Sequence, residues 1–148
     1  MIKKVIEGKP TFIPSPGSYL SNFCYIDDVV RGHAQAMEKG LNGEKYILGG
    51  ENVSYTDFFN TLKSISASKA PIIPAPKYMA KMVAWIQWIK HKLTNGELSF
   101  TTKGLTHIYC NKAFSSQKAI QHLGYTITSL KTSLETTIQF LNHQKNEP

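Results

Sequence analysis

The chain has 148 residues and a formal net charge of +7. That length is one domain's worth and can bury roughly two thirds of its unfolded surface, so folding needs no metal or disulfide. Hydrophobic residues at 41% and charged residues at 18% exclude a disordered or collagen-like chain.

The positive charge rests on scattered lysines, with Arg31 as the single arginine. Nucleic-acid surfaces depend on arginine for bidentate base and phosphate contacts, so a solvated lysine-rich surface is the better reading. Two cysteines, Cys24 and Cys110, are too few for a disulfide framework and fit a reducing cytoplasm, the expected location. The first residues carry no long apolar run and no small-residue cleavage site, which argues against a signal peptide. The most apolar stretch, Tyr78 to Leu93, would span about 24 Å as a helix, short of the ~30 Å hydrocarbon core. No transmembrane segment is expected.

In chain order, a short basic amphipathic stretch opens the sequence. Gly8, Pro10, Pro14, Pro16 and Gly17 then punctuate a loop around a short strand at Thr11-Phe12-Ile13. Phe23-Cys24-Tyr25-Ile26, dense in aromatic and β-branched residues, predicts a strand. Asp27 and Asp28 follow as acceptors for free N–H groups at a helix start. That helix is expected to reach Lys39, with Val29, Val30, His33 and Met37 on one face and Gly40 as its terminating glycine. Helix capping, rather than catalysis, is the role expected of Asp28.

Lys45 to Leu48 reads as a second strand between Gly43 and Gly49-Gly50. Ser54 and Asp57 form a capping box ahead of a helix that turns Phe58, Phe59, Leu62 and Ile65 inward and ends near Ser66-Ala67-Ser68. Three prolines keep Ala70 to Pro76 out of any helix. The long helix from about Tyr78 to Leu93 carries Met79, Met82, Val83, Trp85, Ile86, Trp88 and Ile89, apolar on most sides. It is expected to be a core helix under the sheet, rather than a lid or membrane-facing wall over an apolar substrate, because such a surface must be covered. Asn95-Gly96 is a turn, and Thr101 or Thr102 caps a short helix near Lys103 to Ile108. Ser115 or Ser116 starts a helix ended by Gly124, and a last helix from Leu130 to His143 places Leu134, Ile138 and Leu141 on one stripe. His33, His91, His107, His122 and His143 show no metal-ligand spacing with one another or with the cysteines, so no metal site is assigned.

Three segments carry a resemblance. They are Asn22 to Gly40, reading NFCYIDDVVRGHAQAMEKG, then Gly43 to Asn52, reading GEKYILGGEN, and Ser115-Ser116-Gln117-Lys118-Ala119 with Leu123-Gly124-Tyr125. In this order they resemble the C-terminal, substrate-binding half of the extended short-chain dehydrogenase/reductases. That group is the NAD-dependent epimerase/dehydratase family, and the likeness is to its dihydroflavonol-reductase-like branch. The resemblance implies an α/β, helix-rich fold: the C-terminal portion of an NAD(P)-binding Rossmann-like architecture, with few short strands and about five or six helices. It implies one substrate-side domain over residues 1–148, with the dinucleotide-binding half absent.

Two signatures of that family are missing from the sequence itself. None of the ten glycines forms G-x-x-G-x-x-G or G-x-G-x-x-G. Gly40 and Gly43 have the first spacing, but Tyr46 stands where a third glycine belongs, and the pair follows a helix instead of opening one. None of the seven tyrosines has a lysine four positions later, and Tyr109 with Lys112 is one position short. The catalytic pair Tyr-x-x-x-Lys, in which lysine lowers the tyrosine pKa for proton exchange, is therefore absent. No catalytic and no cofactor-binding residue is assigned, and the chain alone is expected to bind neither NAD nor NADP, although the full-length family uses one of them.

In the nucleotide-sugar members of the family the strand is entered through Arg-Asp-Tyr, and Ser21, Asn22 and Phe23 stand there instead. Serine cannot supply the bidentate charge for a diphosphate. The implied small-molecule substrate is thus a carbonyl or hydroxyl compound, with Tyr19, Ser21 and Asn22 as the substrate-facing candidates or else as ordinary loop residues. Self-association or pairing with the missing Rossmann half is the expected partnership. A free-standing dimerisation or complementation module, and a basic binder of nucleic acid or of a membrane surface, remain the alternatives.

Overall fold

The computed structural model describes residues 1–94 and 107–146. Helix α1 (Ile2–Ile6) leads into strand β1 (Thr11–Pro14), then β2 (Leu20–Phe23) and helix α2 (Ile26–Lys39). Strand β3 (Glu51–Ser54) runs directly into α3 (Tyr55–Ser66), followed by β4 (Ile72–Ala75) and α4 (Lys77–Thr94). Helices α5 (Gln117–Leu123) and α6 (Leu130–Asn146) complete the order. Among the described residues the architecture is helix-rich with four short strands, as expected.

The strands pair in two separate ribbons. β1 lies parallel to β4, Thr11 opposite Ile72 and Pro14 opposite Ala75. β2 lies antiparallel to β3, Leu20 opposite Ser54 and Phe23 opposite Glu51. A parallel pair needs a long crossover, and here it contains α2 and α3.

Two strand expectations shift. The strand placed at Phe23–Ile26 ends at Phe23 instead, because Ile26 is already the first residue of α2. Lys45–Leu48 forms no strand, and the pairing edge beyond Gly49-Gly50 is Glu51–Ser54. In both cases β propensity pointed to the right neighbourhood, while the partner register decided which residues pair.

The larger core joins α1, β1, α3 and α6. Val5, Ile13, Phe59 and Leu62 meet Leu134 and Ile138 there, with Phe58 and Ala70. Helix α3 is set by its cap: the Ser54 hydroxyl accepts from the Asp57 N–H at 3.0 Å and donates to the Asp57 carboxylate at 2.6 Å. With that phase fixed, the 3.6-residue period turns Phe58, Phe59 and Leu62 inward, as the sequence predicts. Phe23 stacks on Phe58 with ring centroids 4.1 Å apart, tying the β2–β3 ribbon to this core.

A smaller core packs α5 on α2: Ala119, Leu123 and Tyr125 are buried, with Ala36, Tyr46, Leu48 and Ile127 around them. The α2 face differs from the expected one. Val30, His33 and Met37 point to solvent, and the buried positions are Asp28 and Gly32. A Cβ at Gly32 would sit 2.8 Å from Leu48 and 2.9 Å from Tyr125, so the helix approaches through its smallest residue. Lys39 donates to the Leu123 carbonyl, placing a cation at the negative end of α5. Gly124 takes the left-handed conformation that ends α5 (φ 74°), whereas Gly40 leaves α2 extended (φ −65°, ψ 136°).

Within this core the Tyr125 hydroxyl is buried without a hydrogen-bond partner. Its pKa is raised above 10, first by burial and then by the nearby Asp28 carboxylate. A raised phenol favours the protonated folded state, so its contribution is complete below about pH 10 and is lost as pH rises through the raised value. Tyr125→Phe removes an unpaired polar atom and is expected to leave stability equal or up to about 1 kcal/mol higher. It also flattens the alkaline decline in melting temperature, which thermal denaturation between neutral pH and pH 11 measures.

Helix α4 departs most from expectation. It is not a covered core helix. Ala84 is 2% exposed, whereas Tyr78, Met82 and Trp85 are 71%, 55% and 61% exposed. Ala80 and Ala84 lie inward, and Tyr78, Met79, Met82, Val83, Trp85 and Ile86 lie outward. The turn at Asn95-Gly96 and most of the helix expected at Lys103 to Ile108 fall outside the described residues.

Candidate substrate-facing site

Tyr19, Ser21 and Asn22 are all half-buried at the entry to and inside β2. Along the strand, side chains alternate in direction, which puts Ser21 on the face of Phe23 and Asn22 on the opposite face with Leu20. The three are therefore neighbours in sequence but do not converge on one face. Tyr19 meets Tyr109 edge to face, with centroids 6.2 Å apart. Ser21 sits opposite Val53 and forms a parallel bridge with Lys112.

The Asn22 amide is fully engaged. Its oxygen accepts from Gly50 N–H at 2.8 Å, and its NH2 donates to the Gly50 carbonyl at 2.9 Å and to Asn52 Oδ1 at 2.8 Å. Asn52, the cross-strand partner of Asn22, in turn accepts from Phe114 N–H and donates to its carbonyl. Gly49 N–H donates to the Ser116 hydroxyl at 2.9 Å, and Leu20 N–H donates to the Asn111 side chain at 2.9 Å. The segment from Asn111 to Ser116 is thus laced to β2 and β3 by asparagine and serine side chains. Sequence reasoning assigned no role to Asn52 or Asn111 and gave Ser116 only a helix start, which it does occupy ahead of α5, though its hydroxyl serves Gly49 and makes no cap bond. Asn52 and Ser116 lie inside the resembling segments, but their pairing needs the β2–β3 register, which single-strand propensity does not supply.

Gly49 and Gly50 are required by close approach. A Cβ on Gly49 would lie 2.7 Å from Asn22 Oδ1, and one on Gly50 would collide with the Phe23 carbonyl. This pair cannot cradle a dinucleotide pyrophosphate, because protein atoms already occupy the space a phosphate would need. Gly43 faces open space at φ 80°, but it lies beyond the C-terminal, negative end of α2, where an anion is disfavoured. Neither glycine site therefore fits the pyrophosphate of NAD or NADP.

Tyr109, the near miss of the catalytic pair, is also unsuited to proton exchange. Its hydroxyl donates to the Ala75 carbonyl at 2.8 Å, and burial, with Tyr19 adding, raises the phenol above its ordinary range. A catalytic tyrosine needs the opposite shift.

Asp28, expected to cap its own helix, does not do so. The N-cap position is Tyr25, with no side-chain cap. The Asp28 carboxylate, 1% exposed, accepts from Thr128 N–H and Thr128 Oγ1–H, both at 2.7 Å, and pairs with Arg31. The expected use of a free N–H is present, but it belongs to a residue one hundred positions away. Lys118, from the Ser-Ser-x-Lys-Ala segment, pairs with Glu44, whose carboxyl it holds below the usual range, and lies 5.1 Å from the Tyr46 ring centre. No group of three or more histidines, cysteines or acids able to hold a metal ion occurs among the described residues.

Residues 1–49 match the NAD dependent epimerase/dehydratase family. Across 95% of its length the chain is 26% identical to the 3beta-hydroxysteroid-dehydrogenase/decarboxylase isoform 1 of Arabidopsis thaliana, covering 36% of that protein. Across 82% it is 28% identical to a Synechocystis sp. protein provisionally named a dihydroflavonol 4-reductase, covering 37% of it. Among solved structures, the UDP-glucose 4-epimerase of Thermotoga maritima with UDP-glucose superposes with a TM-score of 0.71 at 22% identity. That match covers 98% of this chain and 38% of that one. The UDP-glucuronic acid 4-epimerase of Bacillus cereus in complex with NAD gives 0.64 at 25% identity, covering 97% and 38%. The chain spans little more than a third of the length of these proteins. The resembling motifs, the family match over residues 1–49 and the shared Rossmann-like fold point the same way: the chain is similar to the extended short-chain dehydrogenase/reductases, the NAD-dependent epimerase/dehydratase family.

Proposed function

We propose that this chain is the substrate-side portion of an NAD(P)-dependent reductase or epimerase acting on a carbonyl or hydroxyl compound, and that it is not catalytic alone. One observation carries the reading. The likeness to the curated relatives runs through 82–95% of the chain, yet the chain holds neither a glycine-rich turn nor Tyr-x-x-x-Lys. The steroid- and dihydroflavonol-type names of two relatives agree with an apolar carbonyl or hydroxyl substrate, and Ser21 in place of an arginine removes the natural counter-charge of a sugar-nucleotide diphosphate. Tyr19 and Ser21 are the side chains we assign to substrate, with Asn22 setting the strand that presents them.

The test joins this chain, in register, to the nucleotide-binding half of a dihydroflavonol-reductase-like relative and follows NADPH oxidation with a panel of carbonyl substrates. Turnover is expected, and Tyr19→Ala should raise KM with little change in kcat, the mark of lost ground-state binding. A joined protein that folds, binds NADPH and reduces none of the panel overturns the reading.

A further inference from the structure

We propose that the outer face of α4 is a docking surface for an anionic lipid membrane, with the helix lying flat in the headgroup region. The helix is built inside out for a soluble domain. Ala84 is buried and Ala80 half-buried, while Tyr78, Met79, Met82, Val83, Trp85 and Ile86 are all exposed. At 100° per residue these six side chains fall on one broad arc, opposite the alanines. A contiguous apolar face on one side of a helix marks an interaction surface.

The charge around this face selects the occupant. Helix α4 itself contains four lysines and no aspartate or glutamate. Lys77 and Lys81, both exposed and one turn apart, lie together along one edge of the apolar arc. Two copies packed through this face would bring lysines together with no acid on the helix to neutralise them. A surface of anionic headgroups instead complements them, since lysine stems cover apolar surface while their ammonium groups reach phosphate. Tyr78 and Trp85 add amphipathic rings of the kind that settle at the headgroup level. No helix among the described residues is long and apolar enough to cross a membrane, so α4 lies on the bilayer instead of spanning it.

The test uses the intact chain with phosphatidylcholine vesicles, with and without phosphatidylglycerol, scored by co-sedimentation. Binding is expected only with phosphatidylglycerol and is expected to weaken as salt is raised. Lys77→Gln and Lys81→Gln should each lower partitioning about fivefold, and Met82→Glu with Ile86→Glu by at least about a hundredfold. All four positions are exposed, so the melting temperature of each variant should stay near that of the parent. A second readout needs no variant. Both tryptophans, Trp85 and Trp88, lie on α4, so quenching of intrinsic fluorescence by lipids brominated high on the acyl chain reports this helix alone. The proposal is overturned by any of three results: no vesicle binding, binding that leaves tryptophan fluorescence unquenched, or a stable dimer that the glutamate pair dissociates while vesicle binding is absent.

Discussion

Replacing Asp28 with alanine is expected to cost about 2–4 kcal/mol, because it takes the acceptor from two Thr128 donors in a closed site. The carboxylate is 1% exposed and holds Thr128 through both its N–H and its hydroxyl, 2.7 Å each. Alanine leaves those donors facing an apolar gap between α2 and the segment that follows Gly124. For a chain of this size a loss of about 3 kcal/mol lowers the melting temperature by roughly 6–12 °C. Arg31→Ala is the internal comparison. Arg31 is exposed, and its removal leaves the two Thr128 bonds in place but takes the counter-charge from the buried Asp28 carboxylate, so its cost is expected at about 1–2 kcal/mol, below that of Asp28→Ala. Equal effects of the two substitutions, read by urea denaturation, would show that the Thr128 bonds contribute little.

Gly50→Ala is expected to have the second large effect. A Cβ there collides with the Phe23 carbonyl, which is backbone and cannot rotate away. The cost is expected at the upper end of about 1–3 kcal/mol, because β2 must separate from the Gly49-Gly50 loop. That separation also loosens the Asn22 bonds to Gly50 and the Asn52 bonds to Phe114. Amide hydrogen exchange should therefore accelerate at Gly50 and Phe114 together, while Leu62, in the other core, keeps its protection. Acceleration confined to Gly50 would mean that the asparagine network does not transmit the strain.

The residues differ in how much of this was readable beforehand. Helix α3 was legible because its information is local: a Ser54–Asp57 cap sets the phase, and the apolar period does the rest. Gly124 and the Leu134–Ile138 stripe were legible for the same reason. The inward face of α2 was misread because the helix is buried through Gly32 and a charged Asp28, and hydrophobic periodicity is blind to both. The partner that justifies burying Asp28, Thr128, lies one hundred residues on. Helix α4 was misread because apolar composition does not by itself ensure coverage. Ala80 and Ala84 take the inner positions and leave Tyr78, Met82, Trp85 and Ile86 outside. Among the substrate-facing candidates, adjacency of Tyr19, Ser21 and Asn22 suggested one cluster, whereas strand alternation sends Ser21 and Asn22 to opposite faces. The likeness to the extended short-chain dehydrogenase/reductases was the most legible feature, since it resides in three ordered motifs and not in any single contact.

The central claim is that this chain carries the substrate side of its family's fold without the nucleotide site. Calorimetric titration of the chain with NADH and with NADPH tests it most directly. The account predicts no saturable heat for either cofactor, corresponding to binding weaker than about 1 mM. A one-to-one isotherm with micromolar affinity would contradict it.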